Sequence, residues 1–190
     1  GRQQGNEATR FSERQVLAKW FPERSDPRQA HPFCNNANAA VRLALWRLHP
    51  YDEELPGLED LAWATWAMSQ GHTLAYVAEA PVVHVHEESP AMVFNRYRRE
   101  AMALKAIHPA ERFHLWDVLR LYPANVIGDL RQALRHKRLR RELWGILWFR
   151  WMQFWGTYRG FAHAGPLSGN LKQIFYYPRQ GDARLLDEPR

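Results

Sequence analysis

Helix-ending signals divide this sequence into short segments and leave room for few strands. The pairs His49-Pro50 and His108-Pro109 each end a helix, because a residue before proline disfavours the helical backbone region. Gly71 stands where a helix C-terminal glycine belongs. Ser89-Pro90 is a hydroxyl cap followed by proline at the first helical position. These signals bound predicted helices along the chain, and the part after residue 109 is predicted to be mainly helical.

Apolar residues that recur at helical spacing between these signals place the individual helices. The predicted helices cover residues 12–20, 36–48, 58–70, 90–107, 110–121, 125–140 and 143–155. Ser12 is the expected N-cap of the first helix, because its hydroxyl can accept a hydrogen bond from a free backbone amide. Two runs, 73–77 and 81–86, are predicted to be extended, the first of them as a strand.

The positive charge of the chain is confined to one short segment. Lysines and arginines number 26 against 20 acids, which gives a formal net charge of +6. Residues 131–141 hold six basic side chains and no acid, so the remainder of the chain is balanced at 20 against 20. A local patch of this kind disfavours a protein that binds a polyanion over its whole surface.

Neither a disulfide framework nor a membrane-spanning segment is expected. Cys34 is the single cysteine, which excludes an intramolecular disulfide and favours a reducing compartment. No uncharged apolar run reaches the roughly 18–20 residues that a membrane span requires. The best candidate, residues 143–155, includes Arg150 and Gln153.

Two acidic residues stand at the predicted start of a helix, in the motif PGLED of residues 56–60. The positive end of the helix dipole favours the ionised forms of Glu59 and Asp60 there. An ionised carboxylate that is held in place can accept a proton from a hydroxyl nucleophile, which is general-base chemistry. Acids also occur in first turns simply because they stabilise the helix dipole, so the pair alone leaves both interpretations open.

Two histidines end the second extended run. As residues i and i+2 of a strand, His84 and His86 lie on the same face. Two imidazoles on one face can bind a divalent cation or an anionic phosphate. A metal site usually needs a third and a fourth ligand, which Glu87 or Glu88 could supply. A solvated strand face with two ordinary histidines is the competing interpretation.

Asparagines cluster in the string NNAN of residues 35–38. Each asparagine side chain carries both donors and acceptors of hydrogen bonds, which suits it to sugar hydroxyls. Asparagine is also a routine residue of turns and helix caps, so the cluster alone favours neither role.

The segment 131–158 combines cations with tryptophan. Its tryptophans are spaced 4, 3 and 4 residues apart and so share one helical face: Trp144, Trp148, Trp151 and Trp155. With six cations before them, this pattern is typical of a helix at a membrane surface, where the cations meet anionic head groups. A face packed in the core and a surface on which nucleic-acid bases stack are the alternatives.

The order of these motifs resembles the C-terminal half of bacterial family 2 glycosyltransferases, with the rhamnosyltransferase-like enzymes of surface polysaccharide synthesis as the nearest group. The resemblance rests on residues 33–42 (FCNNANAAVR), 51–63 (YDEELPGLEDLAW) and 71–86 (GHTLAYVAEAPVVHVH). It covers roughly residues 1–107. The tail, with GTYRG at 156–160 and FYYPR at 175–179, is similar to the C-terminal helical extensions of this group.

This resemblance implies an α/β fold of the GT-A type and an inverting transfer of a sugar, of the hexosyltransferase class, from a nucleotide-diphospho-sugar donor. In the family, an acidic pair at a helix start contains the catalytic base. Asp60 would accordingly deprotonate the acceptor hydroxyl, and Glu59 would help to hold the acceptor.

The resemblance also implies where the substrates and a metal would bind. Asn36, Asn38 and Arg42 would lie beside the acceptor and the donor. His84 and His86 would meet the diphosphate or the divalent cation bound to it, Mg²⁺ or Mn²⁺. That cation would neutralise the departing diphosphate.

Family 2 enzymes also carry a nucleotide-binding half with an Asp-x-Asp metal motif. This sequence has no Asp-x-Asp and begins without Met, so we expect it to be the back half of an enzyme and inactive by itself. Residues 1–109 are predicted to form the acceptor-side half, a partial GT-A domain, and residues 110–190 a basic, Trp-rich and mainly helical extension.

The predicted location is the cytoplasm, peripheral to the inner face of the membrane. The predicted acceptor is a glycan or a lipid-linked glycan, and no nucleic-acid partner is expected. The alternative is a non-catalytic module that binds nucleic acid or anionic lipid through residues 131–158. It explains the cations equally well but leaves the acid pair and the histidines without a role.

Overall fold

The computed structural model describes residues 1–165. Within them lie six α-helices, two strands and a 3-10 turn at Asn36–Asn38. In chain order the helices and strands are β1 (Arg2–Gln4), α1 (Phe11–Trp20), α2 (Leu43–Leu48), α3 (Glu59–Ser69), β2 (Pro81–Val83), α4 (Pro90–Ile107), α5 (Leu115–Arg135) and α6 (Leu139–Ala162). This part of the chain is an α/β structure in which helices predominate, as the sequence predicts.

The chain forms two compact units, each assembled from separated stretches. The first unit contains residues 1–53, 58–87 and 125–147. The second contains residues 54–57 and 88–124 together with the chain from Trp148. Helices α5 and α6 contribute residues to both units. The predicted functional division after residue 109 stays a prediction.

Strands β1 and β2 are parallel neighbours in a two-stranded sheet of the first unit. Gln4 pairs with Val83, and the backbone amide of His84 extends the pairing by donating to the Gln4 carbonyl at 2.9 Å. The predicted extended run 81–86 is confirmed as a strand for its first three residues. The sheet thereby fixes the position of the segment that carries the two histidines.

The run predicted as a strand at 73–77 forms no continuous ladder. Tyr76 makes an isolated antiparallel bridge with Asp26, and Leu74 accepts a hydrogen bond from the Gln29 amide at 2.9 Å. The next ladder bond would need the Arg28 amide, which donates instead to the Asp26 side chain at 3.0 Å, so the ladder is interrupted. The prediction of a regular strand there is wrong.

Tyr76 nevertheless contributes to the core of the first unit. It packs in a buried cluster with Leu17, Phe21 and Ala78, against which Phe33 is partly buried. Its hydroxyl donates to the Pro22 carbonyl at 2.8 Å. The cluster attaches α1 to the segment that leads into β2.

Ser12 does not cap α1, contrary to the sequence prediction. The helix begins one residue earlier, after Arg10, which makes no side-chain capping bond. The Ser12 hydroxyl is buried and donates to the carboxylate of Asp129 at 2.6 Å. The hydroxyl therefore forms a hydrogen bond to Asp129, which is distant in the sequence, and does not bind a free amide at the start of the helix.

The single helix predicted over 36–48 is also wrong. The 3-10 turn at Asn36–Asn38 is followed by extended backbone at Ala39 (φ −131°, ψ 151°), and helix begins again only at α2. The Asn35 side chain accepts from the Ala37 amide at 3.1 Å, a local bond that competes with helix formation. The predicted end at His49 is confirmed.

Helices α3 and α4 follow the sequence prediction closely. Gly71 has φ +81° and ends α3, with its amide bonded to Met68 and the next amide to Ala67. This is the double hydrogen bond of a left-handed C-terminal glycine. The Ser89 hydroxyl accepts from the Met92 amide at 3.3 Å and caps α4.

The predicted helix break around residues 122–124 is absent, and α5 runs through Pro123. Proline removes one backbone hydrogen bond from a helix interior. The carbonyl that loses its partner is that of Leu119, which is 58% exposed and so lies where water can bind it. The helix therefore continues, and the predicted helices 110–121 and 125–140 are corrected to α5.

The true break lies at Lys137, inside the predicted helix 125–140. Lys137 has φ 57°, its amide bonds to Leu134 at 3.0 Å, and the next amide bonds to Ala133 at 2.8 Å. These bonds match those at Gly71, but the left-handed position is filled by lysine. Helix α6 starts two residues later and runs well past the predicted 143–155.

The tryptophans of α6 are not a core face. Trp144 is 76% exposed and Trp151 is 41% exposed, while Trp148 and Trp155 are half-buried. The buried apolar side chains of this helix are Ile146, Phe149 and Phe154. The alternative of a core-packed tryptophan face is therefore wrong for its two exposed members.

Helices α4 and α6 approach closely within the second unit. A Cβ atom built on Gly156 would lie 2.6 Å from the Phe94 carbonyl oxygen, and one on Gly160 would lie 2.6 Å from the Ala101 Cβ. Glycine lets the two backbones meet there. Within residues 1–165, no helix is long and apolar enough to cross a membrane. The FYYPR motif at 175–179 lies outside the described residues.

Candidate functional site

Helix α3 begins with a strained backbone directly before the acid pair. Leu58 has φ 57° and ψ 25°, a left-handed conformation that costs a residue with a side chain about 1–2 kcal/mol. This turn places Glu59 and Asp60 at the first two helical positions, where free amides and the helix dipole favour negative charge. Backbone strain of this kind is concentrated at functional sites.

The Asp60 carboxylate is buried and held by two backbone amides. Its Oδ2 accepts from the Asn36 amide and its Oδ1 from the Leu61 amide, each at 2.7 Å. Burial raises the pKa of the Asp60 carboxyl above its usual value, the hydrogen bonds partly oppose that rise, and the charge of Glu59 adds to it. Asp60 is therefore a positioned carboxylate that binds a proton more readily than an ordinary aspartate.

Asn36 joins both members of the acid pair. While its backbone amide donates to Asp60, its side-chain amide donates to Glu59 Oε1 at 2.9 Å. The 3-10 turn thus lies against the start of α3 although 23 residues separate Asn36 from Glu59. The structure brings together three predicted site residues, Asn36, Glu59 and Asp60, which we call the acid cluster.

Asn38 has a different place in the same turn. Its side-chain amide donates to the carbonyls of Arg2 at 3.0 Å and Ala80 at 2.8 Å. The N-terminal amine of Gly1 donates in turn to the Asn38 carbonyl at 2.6 Å. The side-chain donor of Asn38 therefore holds the turn against β1 and the entrance to β2, which is a positioning role.

A cavity of about 800 Å³ opens in the first unit, beside this turn. Its lining includes Asn38 and Arg42, and Arg42 is exposed. Cys34 also lines it, and burial together with the charge of Asp60 raises the pKa of the Cys34 thiol to about 11. The charge of Asp60 thus acts on a residue that lines the cavity, although Asp60 is not itself part of the lining.

The cavity unites only part of the predicted site. Within the described part of the chain, five of the predicted site residues do not line it: Asn36, Glu59, Asp60, His84 and His86. Asp60, His84 and His86 would serve one reaction in the predicted enzyme, but this cavity does not bring them together.

The two predicted histidines are in direct contact, and a third residue joins them. The Nε2 atoms of His84 and His86 lie 2.8 Å apart, and their rings meet edge to face. His86 Nδ1 lies 2.7 Å from Oε1 of Glu13, whose side chain is 5% exposed. We call Glu13, His84 and His86 the imidazole cluster.

Sequence reasoning missed Glu13 because 73 residues separate it from His86. One local signal was available. Glu13 stands one helical turn before Leu17, on the side of α1 that also buries Phe11 and Ser12. A carboxylate on a buried helix face needs a polar partner, so its position indicates a tertiary contact without naming the partner.

The imidazole cluster fits a divalent cation in two respects. Two ring nitrogens face each other at a spacing near that of neighbouring ligands on one ion, and a carboxylate on the far nitrogen is the usual support of a metal-bound histidine. The same contacts are also satisfied by protons, if His86 donates from Nδ1 and His84 from Nε2. Imidazole suits transition-metal ions better than Mg²⁺, so of the two ions that the resemblance implies, Mn²⁺ is the better fit, although it also favours oxygen ligands.

The small sheet positions both clusters. Gln3, in the middle of β1, donates from its side chain to the Asn35 side chain at 2.6 Å and so fixes the asparagine turn. Gln4, the next residue, accepts from the His84 amide. Gln3 thus positions the acid cluster through Asn35, and Gln4 positions the imidazole cluster through His84.

Comparison with known proteins gives no match: no family model fits the sequence, no curated protein matches it, and no solved structure matches its fold. The order of motifs described above is thus the sole basis for the family resemblance.

Proposed function

We propose that this chain is the acceptor-side half of an inverting glycosyltransferase that resembles family 2 and acts in surface polysaccharide synthesis. The observation that carries the proposal is the Asp60 carboxylate, buried and held by backbone amides at the strained start of α3. A carboxylate that served only the helix dipole would not need burial, because burial raises its pKa and so disfavours its charge. The finer assignment of the α/β structure to a partial GT-A domain belongs to the same proposal.

Asp60 acts as the general base in this mechanism. It takes the proton from an acceptor hydroxyl while the hydroxyl oxygen attacks the anomeric carbon of the donor sugar. The new carbon–oxygen bond forms as the bond to the nucleoside diphosphate breaks on the opposite face, which inverts the configuration. The amides of Asn36 and Leu61 hold the carboxylate in one orientation throughout, so little reorganisation is needed.

The neighbouring predicted residues divide into positioning and binding roles. The side-chain amides of Asn36 and Asn38 donate hydrogen bonds to other residues of the protein, so these two residues shape the site. Arg42 is exposed at the cavity, where a guanidinium can bind an anionic donor through paired hydrogen bonds. Glu59 accepts from Asn36 and helps to orient the acceptor.

The imidazole cluster would hold the divalent cation. Such an ion supplies positive charge for the departing diphosphate when it is bound. His84 and His86 would ligate it through Nε2, while Glu13 fixes the orientation of His86. Further ligands would come from the donor diphosphate.

The direct test is a transfer assay on the full-length gene product. The protein is incubated with Mn²⁺, a lipid-linked glycan acceptor and, one at a time, nucleotide-diphospho-sugars of different nucleotide and sugar classes. We expect one donor class to release nucleoside diphosphate and to give a product of inverted anomeric configuration. Retained configuration, or no release with any donor, would contradict the proposal.

Removing the support of His86 is expected to weaken metal binding. Glu13→Gln and His86→Ala should each lower the affinity for Mn²⁺ by about 10–100-fold, as removal of an outer-shell partner or a ligand does elsewhere. His136→Ala, on the exposed turn after α5, is the matched control and should bind as the wild type does. Calorimetric titration of the 190-residue chain with Mn²⁺ measures this. Equal affinity for Mn²⁺ in the wild type and all three variants would show that the imidazole cluster is not the metal site.

A further inference from the structure

Helix α5 carries an apolar face that is exposed at five of its six positions, the half-buried Leu130 being the sixth. Its positions follow one another at intervals of 3, 4, 4, 3 and 4 residues, so they lie along one side of the helix: Trp116, Leu119, Pro123, Ile127, Leu130 and Leu134. We call this the α5 face. It differs from the tryptophan face of α6 that the sequence singled out.

The exposure of the α5 face is high for such large side chains. Trp116 is 71% exposed, Leu119 58% and Leu134 62%. The face runs nearly the length of a 21-residue helix, roughly 30 Å at 1.5 Å per residue. A continuous apolar strip on a surface is typical of a binding site, whereas scattered single apolar residues are ordinary.

Cations border this face and continue beyond it. Arg120, Arg131 and Arg135 are exposed along α5, and the turn into α6 adds Lys137, Arg138, Arg140 and Arg141, all exposed as well. Asp117 lies 3.5 Å from Arg120 and Glu142 lies 3.7 Å from Arg141, so these two acids offset two of the seven cations. Asp129 is buried against Ser12 and does not offset the others at the surface. The flank of the α5 face is therefore strongly positive.

We propose that the α5 face and the cations of residues 131–141 form a docking surface for an anionic lipid bilayer. Leucine, isoleucine and tryptophan side chains enter the boundary between head groups and acyl chains, while the arginines meet the anionic head groups. The helix lies in the plane of the membrane and does not cross it. This inference does not depend on the proposed sugar transfer.

The composition of the surface favours a bilayer over two other partners. Nucleic acid would stack its bases on aromatic rings, but the α5 face has one aromatic residue among six. A second copy of this chain, docked face to face, would bring two cationic flanks together and repel. An anionic bilayer complements both the apolar strip and the positive flank.

The test is co-sedimentation of the 190-residue chain with vesicles. One set contains phosphatidylcholine alone, and the other contains phosphatidylcholine mixed with phosphatidylglycerol. The variants are Leu134→Glu on the α5 face and, as the matched control, Leu48→Glu on α2, where the leucine is 75% exposed. Circular dichroism verifies that both variants keep the helix content of the wild type.

We expect binding to the anionic vesicles alone, weakened by salt because the Debye length shrinks from about 10 Å at 0.1 M to about 3 Å at 1 M. Leu134→Glu should bind about tenfold or more weakly, since one leucine side chain no longer leaves water, and Leu48→Glu should match the wild type. Equal binding by both variants, or no vesicle binding, would overturn the proposal. Salt-dependent binding to an oligonucleotide without vesicle binding, or dimerisation lost in Leu134→Glu, would assign the face to those partners instead.

Discussion

Asp60→Asn is expected to lower sugar transfer by the full-length gene product by about 10²–10⁴-fold, the usual contribution of a general base. Asparagine keeps the size of the side chain but only one of its two acceptor oxygens. One of the two backbone amides therefore loses its partner, and we expect a loss of about 1–3 kcal/mol in stability without loss of the fold. The loss should appear in kcat, because the proton is taken in the transition state. Steady-state assays of nucleoside diphosphate release measure it.

The matched control is Asp52→Asn, the same chemical change in the exposed loop before α3. It should leave transfer unchanged. Wild-type turnover in Asp60→Asn would remove that residue from the role of base. A loss of activity together with a loss of helix content would show damage to the fold, and Glu59→Gln then tests the acid cluster by a second route.

The raised pKa of Asp60 also sets the sign of two pH effects. Transfer needs the ionised carboxylate, so kcat/KM should fall with acid at a pH above the usual aspartate range. A carboxyl whose pKa is raised by folding stabilises the protein when protonated, and that stability is lost as pH rises through the folded pKa. Wild-type protein should therefore lose stability relative to Asp60→Asn as pH rises above about 4, the usual aspartate pKa, as denaturant unfolding will show.

Local sequence signals predicted those helix ends that depend on residue type. Gly71 ends α3 because glycine adopts a positive φ without a Cβ clash, and Ser89-Pro90 starts α4 because each residue suits its position. Lys137 takes the same conformation as Gly71 at the end of α5, but lysine gives no signal of it. Tertiary structure selects that turn, so the sequence placed the break in the wrong position.

The candidate site shows the same division between local and distant determinants. Glu59 and Asp60 were found because the first turn of a helix favours acids, and the histidines because alternate residues of a strand share a face. Neither pattern predicts that Asn36 bonds to both acids or that Glu13 supports His86. Those contacts join residues 23 to 73 positions apart, and only the folded backbone brings them together.

Gly160→Ala is expected to destabilise the protein by about 2 kcal/mol, in the range of other overpacking substitutions. The added Cβ would meet the Arg98 carbonyl of α4 and would lie 2.6 Å from the Ala101 Cβ. One neighbour is a backbone atom of α4 and the other is a Cβ atom bonded to that backbone. The overlap can therefore be removed only if one of the two helices shifts. For a chain of this size the melting temperature should fall by about 4–8 °C.

Gly145→Ala, in the same helix, provides a control with the opposite sign. A Cβ there meets nothing within 4 Å, so the variant gains only the helical preference of alanine over glycine, about 1 kcal/mol. Calorimetry should therefore show one variant melting below the wild type and the other above it. If both stabilise, the close approach of α4 and α6 is wrong, because alanine at 160 would then fit without moving either backbone.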